Sequence, residues 1–375
     1  MIEYSNQFKM LFSIGPYEDF IAEENMVQLK ILEQAGNVMP MMEMTFKCNQ
    51  SKMLKYLNET NPLKVQLGVK EIKIDTEYRI YHKSIDYDSN GWYIITLYCL
   101  MNISNYLLAP RRRTFGNELS DGTPISGLEV MMTVASENFT GLETNIQKSE
   151  DLMLRIQPGI SNKQFIDEIW STLYVPDSFV LVGVTMAGQF RIMDMRTLVT
   201  TDPVWNFTYK VSKPQHDIEV KKRTIDDNSG INNYLFGYIR QQEFWNEDTL
   251  EHYVSTTGNS TLMSMSQNFS RDNIWMQNTQ VATNDNMFNE YWECRANNLA
   301  NWALFSSVNS QVWYEPGWYD VKVLDLVMCQ LQDPNGQPEE AFSGLAMVSA
   351  VSRIFKNRQI KTVVSLNREG FNVIR

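Results

Sequence analysis

The chain has 375 residues, 43% of them apolar and 12% aromatic, and a formal net charge of −11. At about 100–200 residues per domain it is too long for one ordinary core, and it is too apolar for a disordered chain. The acidic balance argues against a duplex-binding protein, which presents a basic face, and no stretch approaches the roughly 18 unbroken apolar residues of a membrane helix.

The N-terminal segment has no basic leader followed by an apolar run and a small-residue cleavage site, so synthesis in a cytoplasm without a secretory signal is expected. Residues 1 to 110 then read as strands. In MPMMEMTFKC, Met42, Met44 and Phe46 share one side; in EIKIDTEYRIYHK, Ile72, Ile74, Tyr78 and Ile80 alternate. After DYDSNG, the segment WYIITLYCLMNIS alternates Trp92, Ile94, Thr96 and Tyr98. Period-two segments between polar turns predict an antiparallel sheet with one buried face, in a small barrel or sandwich. DYDSNG puts Asp86, Asp88, Asn90 and Gly91 where a calcium loop would have them, but Leu97 stands where that loop needs a bidentate Glu. A hairpin turn is the better reading.

The pattern changes after APRRRTFGNELSDGTPISG. Leu128, Met131, Met132, Ala135 and Phe139 recur at helical spacing behind Ser126 and Glu129, which have the spacing of a capping box. Ser161 and Gln164 repeat that device ahead of Phe165, Ile166, Ile169, Trp170 and Leu173. SFVLVGVTM and GQFRIMD follow as two strands joined at Ala187-Gly188. Residues 113–194 therefore predict a compact α/β unit.

Strands resume weakly from VSKPQHDIEVKKRTIDDNSG. Within the Asn-rich 257–301, Phe288, Tyr291 or Trp292, Leu299, Trp302 and Ala303 fall close to a helical stripe. GWYDVKVLDLVMCQ, the turn DPNGQP, FSGLAMVSAVSRIF and IKTVVSLNREG close the chain as strands. Two β domains thus flank an α/β module at 113–194; the resemblance described below implies the finer division, with 1–112 and about 195–240 as a first β-barrel and 241–375 as a second barrel carrying an Asn-rich helical insertion at about 265–308.

Chemistry-bearing motifs are missing. Cys48, Cys99, Cys294 and Cys329 are scattered among apolar neighbours and read as buried free thiols. His82, His216 and His252 are far apart, which disfavours both a zinc site and a Ser-His-Asp triad. No nucleotide-binding glycine loop or nucleophile elbow is present. The carboxylate pairs Glu23-Glu24 and Glu339-Glu340 read as solvent-facing, whereas a general acid needs a low-dielectric pocket. Arg111-Arg112-Arg113 and Lys221-Lys222-Arg223 read as solvated loops or inter-subunit ion pairs. No catalytic residue, cofactor site or metal site is expected, and a structural or interaction protein is favoured over an enzyme.

The order of segments resembles the baseplate hub proteins of contractile-tailed phages and the base of type VI secretion spikes. Two stretches carry the likeness. One runs from Gly127 to Asp194, with QPGISNKQFIDEIW opening a helix and DSFVLVGVTMAGQFRIMD following as a strand hairpin. The other runs from Trp318 to Asn372, where closing strands lead through Thr362 to Arg368 and Gly370. The resemblance implies a mainly β fold with α+β character: two small antiparallel β-barrels, an α/β module between them, and a helical insertion in the C-terminal half. It further implies a homotrimeric, pseudo-sixfold ring that adapts the tail tube to a central spike and surrounds the DNA channel. The implied partners are the tail tube ring, the spike, the tape measure protein, other baseplate proteins and DNA passing without specific binding. No membrane anchor is implied, and the place is a virion tail baseplate assembled in the host cytoplasm. The nine Trp and 21 Met suit large subunit interfaces, and the acidic balance suits a lumen that does not hold phosphate. The alternative is a glycan-binding β-sandwich virion protein or adhesin.

Overall fold

The computed structural model describes residues 8–21, 23–69, 74–116, 123–176, 178–209, 217–228, 231, 240–257, 277–283, 287, 288, 290–314, 320–332, 335, 337, 339, 343–357 and 359–368. Ile72, His216, Trp318, Glu340 and Gly370, and most of the DPNGQP turn, lie outside them.

The N-terminal half comprises β1 (Phe8–Ile14), β2 (Met26–Gln34), β3 (Met41–Cys48), β4 (Leu63–Val69), β5 (Ile74–Tyr87) and β6 (Tyr93–Met101), hydrogen-bonded antiparallel in the order β1-β4-β5-β6-β3-β2. Met42, Met44, Phe46, Ile74, Tyr78 and Ile80 are buried as their alternation predicts. On β6 the alternation points the other way: Ile95, Leu97, Cys99 and Met101 are buried, while Trp92, Ile94, Thr96 and Tyr98 are half-buried. Both faces of this strand are apolar enough to mislead. DYDSNG is a hairpin: Asp88 N–H donates to Trp92 O at 2.7 Å, and Gly91 takes the positive φ of 83° that the turn requires.

The middle of the chain holds α1 (Ser104–Leu107), β7 (Pro110–Phe115), α2 (Gly127–Ser136), β8 (Gly141–Thr144), β9 (Arg155–Ser161), α3 (Asn162–Ser171), β10 (Val180–Val184), β11 (Gln189–Asp194) and α4 (Met195–Val199). Strands β10, β11 and β8 form one sheet, and β7 pairs with β9. Both capping boxes form reciprocally. Glu129 N–H donates to Ser126 Oγ at 3.3 Å and Ser126 N–H to Glu129 Oε2 at 3.2 Å; Ser161 and Gln164 repeat the exchange at 3.3 and 3.1 Å. Beneath the first box the buried Asp151 carboxylate accepts from Gly127 N–H at 3.2 Å and pairs with buried Arg155.

The C-terminal half comprises β12 (Trp205–Tyr209), β13 (Asp217–Glu219), β14 (Lys222–Asp227), β15 (Arg240–Asn246), β16 (His252–Thr257), β17 (Gln277–Thr283), α5 (Tyr291–Phe305), β18 (Val308–Tyr314), β19 (Leu326–Leu331), β20 (Gly344–Lys356) and β21 (Gln359–Arg368). The strands of 205–227, expected beside residues 1–112, pair here instead: β12 runs parallel to β13 and β19, and β14 is antiparallel to β18. These two parallel pairs also depart from an all-antiparallel expectation. Phe207 and Ile218 bury themselves with Val312, Tyr314, Val364 and Leu366, which explains the partner choice. The region expected as a helical insertion contains β17, in a three-stranded sheet with β15 and β16; among its described residues the helix is α5.

The buried face of α5 is also not the expected stripe. Cys294, Ala300, Asn301, Leu304 and Phe305 are buried, and Leu299 is 64% exposed. Asn298 Nδ2 donates to the carbonyls of Ser171 and Leu173 at 3.3 and 3.0 Å, at the end of α3 where helix carbonyls lack internal donors. Asn298 thus faces the end of a neighbouring helix.

Strand β20 belongs to both halves. Its first residues, Gly344 to Met347, pair with β19, and its last, Ala350 to Lys356, pair with β2 on that same edge. Ser349 is bulged out between the two runs, and its carbonyl accepts from Ala35 N–H at 2.7 Å. Thirteen strands thereby join into one sheet.

Candidate functional site

Among the described residues no three His, Cys, Asp or Glu side chains gather where they could hold a metal ion. His82 lies on β5 and His252 on β16, in separate sheets. The four cysteines are buried and free, and burial pushes the Cys99 and Cys329 thiols up to about 12 and about 11, which removes the thiolate needed for nucleophilic work. Glu24 is exposed and Glu339 half-buried. Arg111 to Arg113 sit on β7, and Lys222 and Arg223 open β14. Arg113 of β7 donates to Glu137, Gln157 and Asn162 at 2.8, 2.9 and 3.0 Å, and Lys221, just ahead of β14, pairs with Glu219 at 2.7 Å. Lys222 and Lys361 both lie over the Trp313 ring, 4.6 and 3.6 Å from its centroid.

Three features stand out among the described residues. The first is a buried ionic group where the two halves meet the central unit. Glu33 of β2 is 1% exposed; it accepts from Met186 N–H at 2.7 Å and Val323 N–H at 3.1 Å, with Arg353 of β20 at 3.9 Å. Arg353 donates to Val321 O at 2.6 Å. Arg191 of β11 donates to Val323 O, to Asp325 at 2.8 Å and to Glu143 at 2.7 Å. Burial raises the Glu33 carboxyl above its ordinary value against the pull of Arg353, and burial likewise raises Asp325 against Arg191. Every carboxylate here is already engaged by an arginine or backbone amides, so the group holds structure and offers no free acid or base. Nothing in the sequence pointed to it, because residues 33, 191, 325 and 353 are connected only by the fold.

The second feature is an outward face. In register across neighbouring strands, Trp313, Val363, Ser352, Leu32, Met41 and Leu100 form a row running from β18 to β6, and all six are partly exposed. The row crosses from the C-terminal to the N-terminal half without a break. The helices pack on one another and on β8, β9 and β11. The sheet has open ends: among the described residues no strand pairs with the second edge of β1, of β13 or of β14, nor with that of β5 beyond Tyr78.

The third is a cleft of about 360 Å³ between α3 and α5, walled by Trp170, Val180, Leu181, Leu299 and Trp302. Asp167 at its rim is held by Lys163 at 2.8 Å and Asn37 at 2.9 Å. Ser171, Arg295 and Asn298 complete the lining beside this tethered carboxylate.

The fold is similar to those of two solved tail proteins and of a type VI secretion system component. A tail protein from Neisseria meningitidis MC58 superposes with a TM-score of 0.57 at 10% identity, over 96% of this chain and 97% of that one. The 43 kDa tail protein of prophage MuSo2 from Shewanella oneidensis gives 0.58 at 9% identity, over 96% and 98%. An E. coli type VI secretion system component, itself structurally similar to bacteriophage T4 tail proteins, gives 0.52 at 7% identity, over 95% of this chain and 76% of its own. No protein-family model and no curated protein matches the sequence.

Proposed function

We propose that this chain is a non-enzymatic baseplate hub of a phage tail: three copies close a pseudo-sixfold ring that joins the tail tube to a central spike and surrounds the DNA channel. The observation that carries the reading is the end-to-end likeness to two tail proteins of nearly the same extent. A likeness confined to one module would not bear it.

Pseudo-sixfold symmetry needs two comparable barrels per chain. The strand connections of the C-terminal half support one. β13 and β14 are separated only by Val220 and Lys221; Val220 N–H bonds Thr208 O beside β12, and Lys221 N–H bonds Trp313 O on β18. The pairing runs β12-β19-β20-β21-β18-β14, and the chain itself returns through β13 to β12, a circuit that supports a closed sheet. In the N-terminal half, Phe12, Met44, Phe46, Tyr78 and Leu97 of β1, β3, β5 and β6 are buried in a common core, which supports the second barrel.

The open edges of β14 and β5 lie at opposite ends of the outward face. Such edges are liabilities unless covered, and a head-to-tail contact between copies would cover both and close a ring. On this reading the outward face lines the channel. Its charged residues are mixed, with Lys30, Lys222 and Lys361 beside Glu43 and Asp226, so a uniformly acidic lining forms no part of it. The tube ring, the spike, the tape measure protein and other baseplate proteins are the expected partners, and the virion baseplate the place.

Light scattering of the purified chain, alone and with its neighbouring tail proteins, followed by electron microscopy of assembled tails, tests the reading. Threefold rings at the tube–spike junction are expected. Tails lacking threefold particles built from this chain would overturn it.

A further inference from the structure

The segment Val321 to Asp325 is bound from every side. Val321 O is taken by Arg353, Val323 N–H by Glu33, Val323 O by Arg191, and Leu324 N–H by Val348 O at 2.8 Å. Asp325 Oδ2 accepts from Lys322 N–H at 2.9 Å, and its Oδ1 from Arg191. Those partners come from β2, β11 and β20, so one short segment is fastened to the N-terminal half, the central unit and the shared strand together. Leu324 adopts φ +70°, a left-handed conformation that a leucine does not choose unless its surroundings over-determine it. Gly183 of β10 lies so close that a Cβ there would stand 3.0 Å from Val323 Cγ1.

The apolar contact around this segment is of a different kind. Phe179, Leu181 and Met193 meet Leu304, Phe305, Leu324 and Met347 in a core between the central unit and the C-terminal half. Apolar burial supplies attraction but is non-directional. A buried charge group supplies direction, while its desolvation cost offsets much of its attraction, so its net contribution to stability is small.

We infer that Glu33, Arg353, Asp325 and Arg191 form an orientational lock: they set the angle of the C-terminal half against the central unit and contribute little to its stability. The lock consists of two positive and two negative side chains, each at most 5% exposed, closed over the backbone of Val321–Asp325. Its consequence for ring closure rests on the hub reading. The lock itself is measured on the single chain, so absence of a ring and absence of a lock are separate results.

The experiment replaces the group with apolar residues of similar size, Glu33→Leu, Arg353→Met, Asp325→Leu and Arg191→Met together, in the full chain. Spin labels at Arg112→Cys and Asp226→Cys report the distance between the central unit and the C-terminal half. The expected result is a Tm within about 5 °C of the parent with a distance distribution about twofold broader. An unchanged distribution overturns the inference, and so does a fall in Tm of more than about 10 °C, which would make the group a stabiliser. Glu33→Gln alone gives a second readout by hydrogen exchange. The Met186 and Val323 amides are expected to exchange about tenfold faster while those of β12 and β19 hold; uniform acceleration, or none, counts against the lock.

Discussion

Two buried ionic sites in this molecule use the same chemistry for different ends. Asp151 and Arg155 are four residues apart and sit under the first turn of α2, where the carboxylate also holds Gly127 N–H. Glu33, Arg191, Asp325 and Arg353 come from four corners of the chain and hold a loop between three units. The local pair fastens one helix to its own module. The distant group fastens modules to one another. The contrast teaches that the cost of burying charge is offset locally by a helix terminus and at long range by the backbone groups of a loop.

The sharpest way to break the local site is steric. A Cβ at Gly127 would press on the Asp151 carboxylate and stand 2.9 Å from Ile169 Cγ2 and 3.0 Å from Arg155 Nη2. Gly127→Val is expected to cost roughly 4–5 kcal/mol, read from the urea midpoint. Arg155→Met leaves Asp151 buried without its partner and should cost about 3–4 kcal/mol, with most of it recovered when Asp151→Leu is added. If the double variant is no better than the single one, the pair contributes more than charge balance.

The distant site is probed by pH. Burial holds the Glu33 carboxyl above its ordinary value of 4.5, so the native state binds a proton more readily than the unfolded chain. The stability linked to this group is therefore complete below pH 4.5 and is lost as the pH rises through the native pKa. Glu33→Gln removes that dependence, so the Tm difference, parent minus variant, should shrink as the pH is raised from 4.5 towards 7. A difference that grows over this range would reverse the assignment.

The capping boxes come next in size. Ser126→Ala and Ser161→Ala should each cost about 1 kcal/mol in chemical denaturation, because each leaves a helix amide without its acceptor. The smallest effect belongs to Lys163 and Asp167, also four residues apart and paired at 2.8 Å but with side chains 35% and 40% exposed. Lys163→Ala should change stability by no more than about 0.5 kcal/mol. Set against Arg155→Met, it shows that burial and not spacing sets the magnitude.

These sites also mark how far the sequence could be read. The capping boxes were legible because Ser126 and Glu129, or Ser161 and Gln164, make their contacts within one turn. The alternation through Met42 to Phe46 and Ile74 to Ile80 was legible because one face is clearly more apolar. β6 was not, since Ile94 and Tyr98 on the outer face are as apolar as Ile95 and Leu97 on the inner. The stripe of α5 failed because Asn298 faces the end of α3 and Leu299 faces the cleft, an inversion that only tertiary packing explains. The placement of β12 to β14 failed for a similar reason: strand partners are chosen by a shared core, and Phe207 gives no local sign that it will meet Val312. The ionic lock left no trace at all, its members being single charged residues in unrelated segments.

The sharing of β20 has a consequence for anyone who would divide this protein. Gly344 to Met347 complete one half and Ala350 to Lys356 complete the other, so a protease nick at Ser349, or a truncation before it, strips a wall from both at once. Neither half is a detachable cassette, and a shortened clone of either would present a raw strand edge to solvent and precipitate.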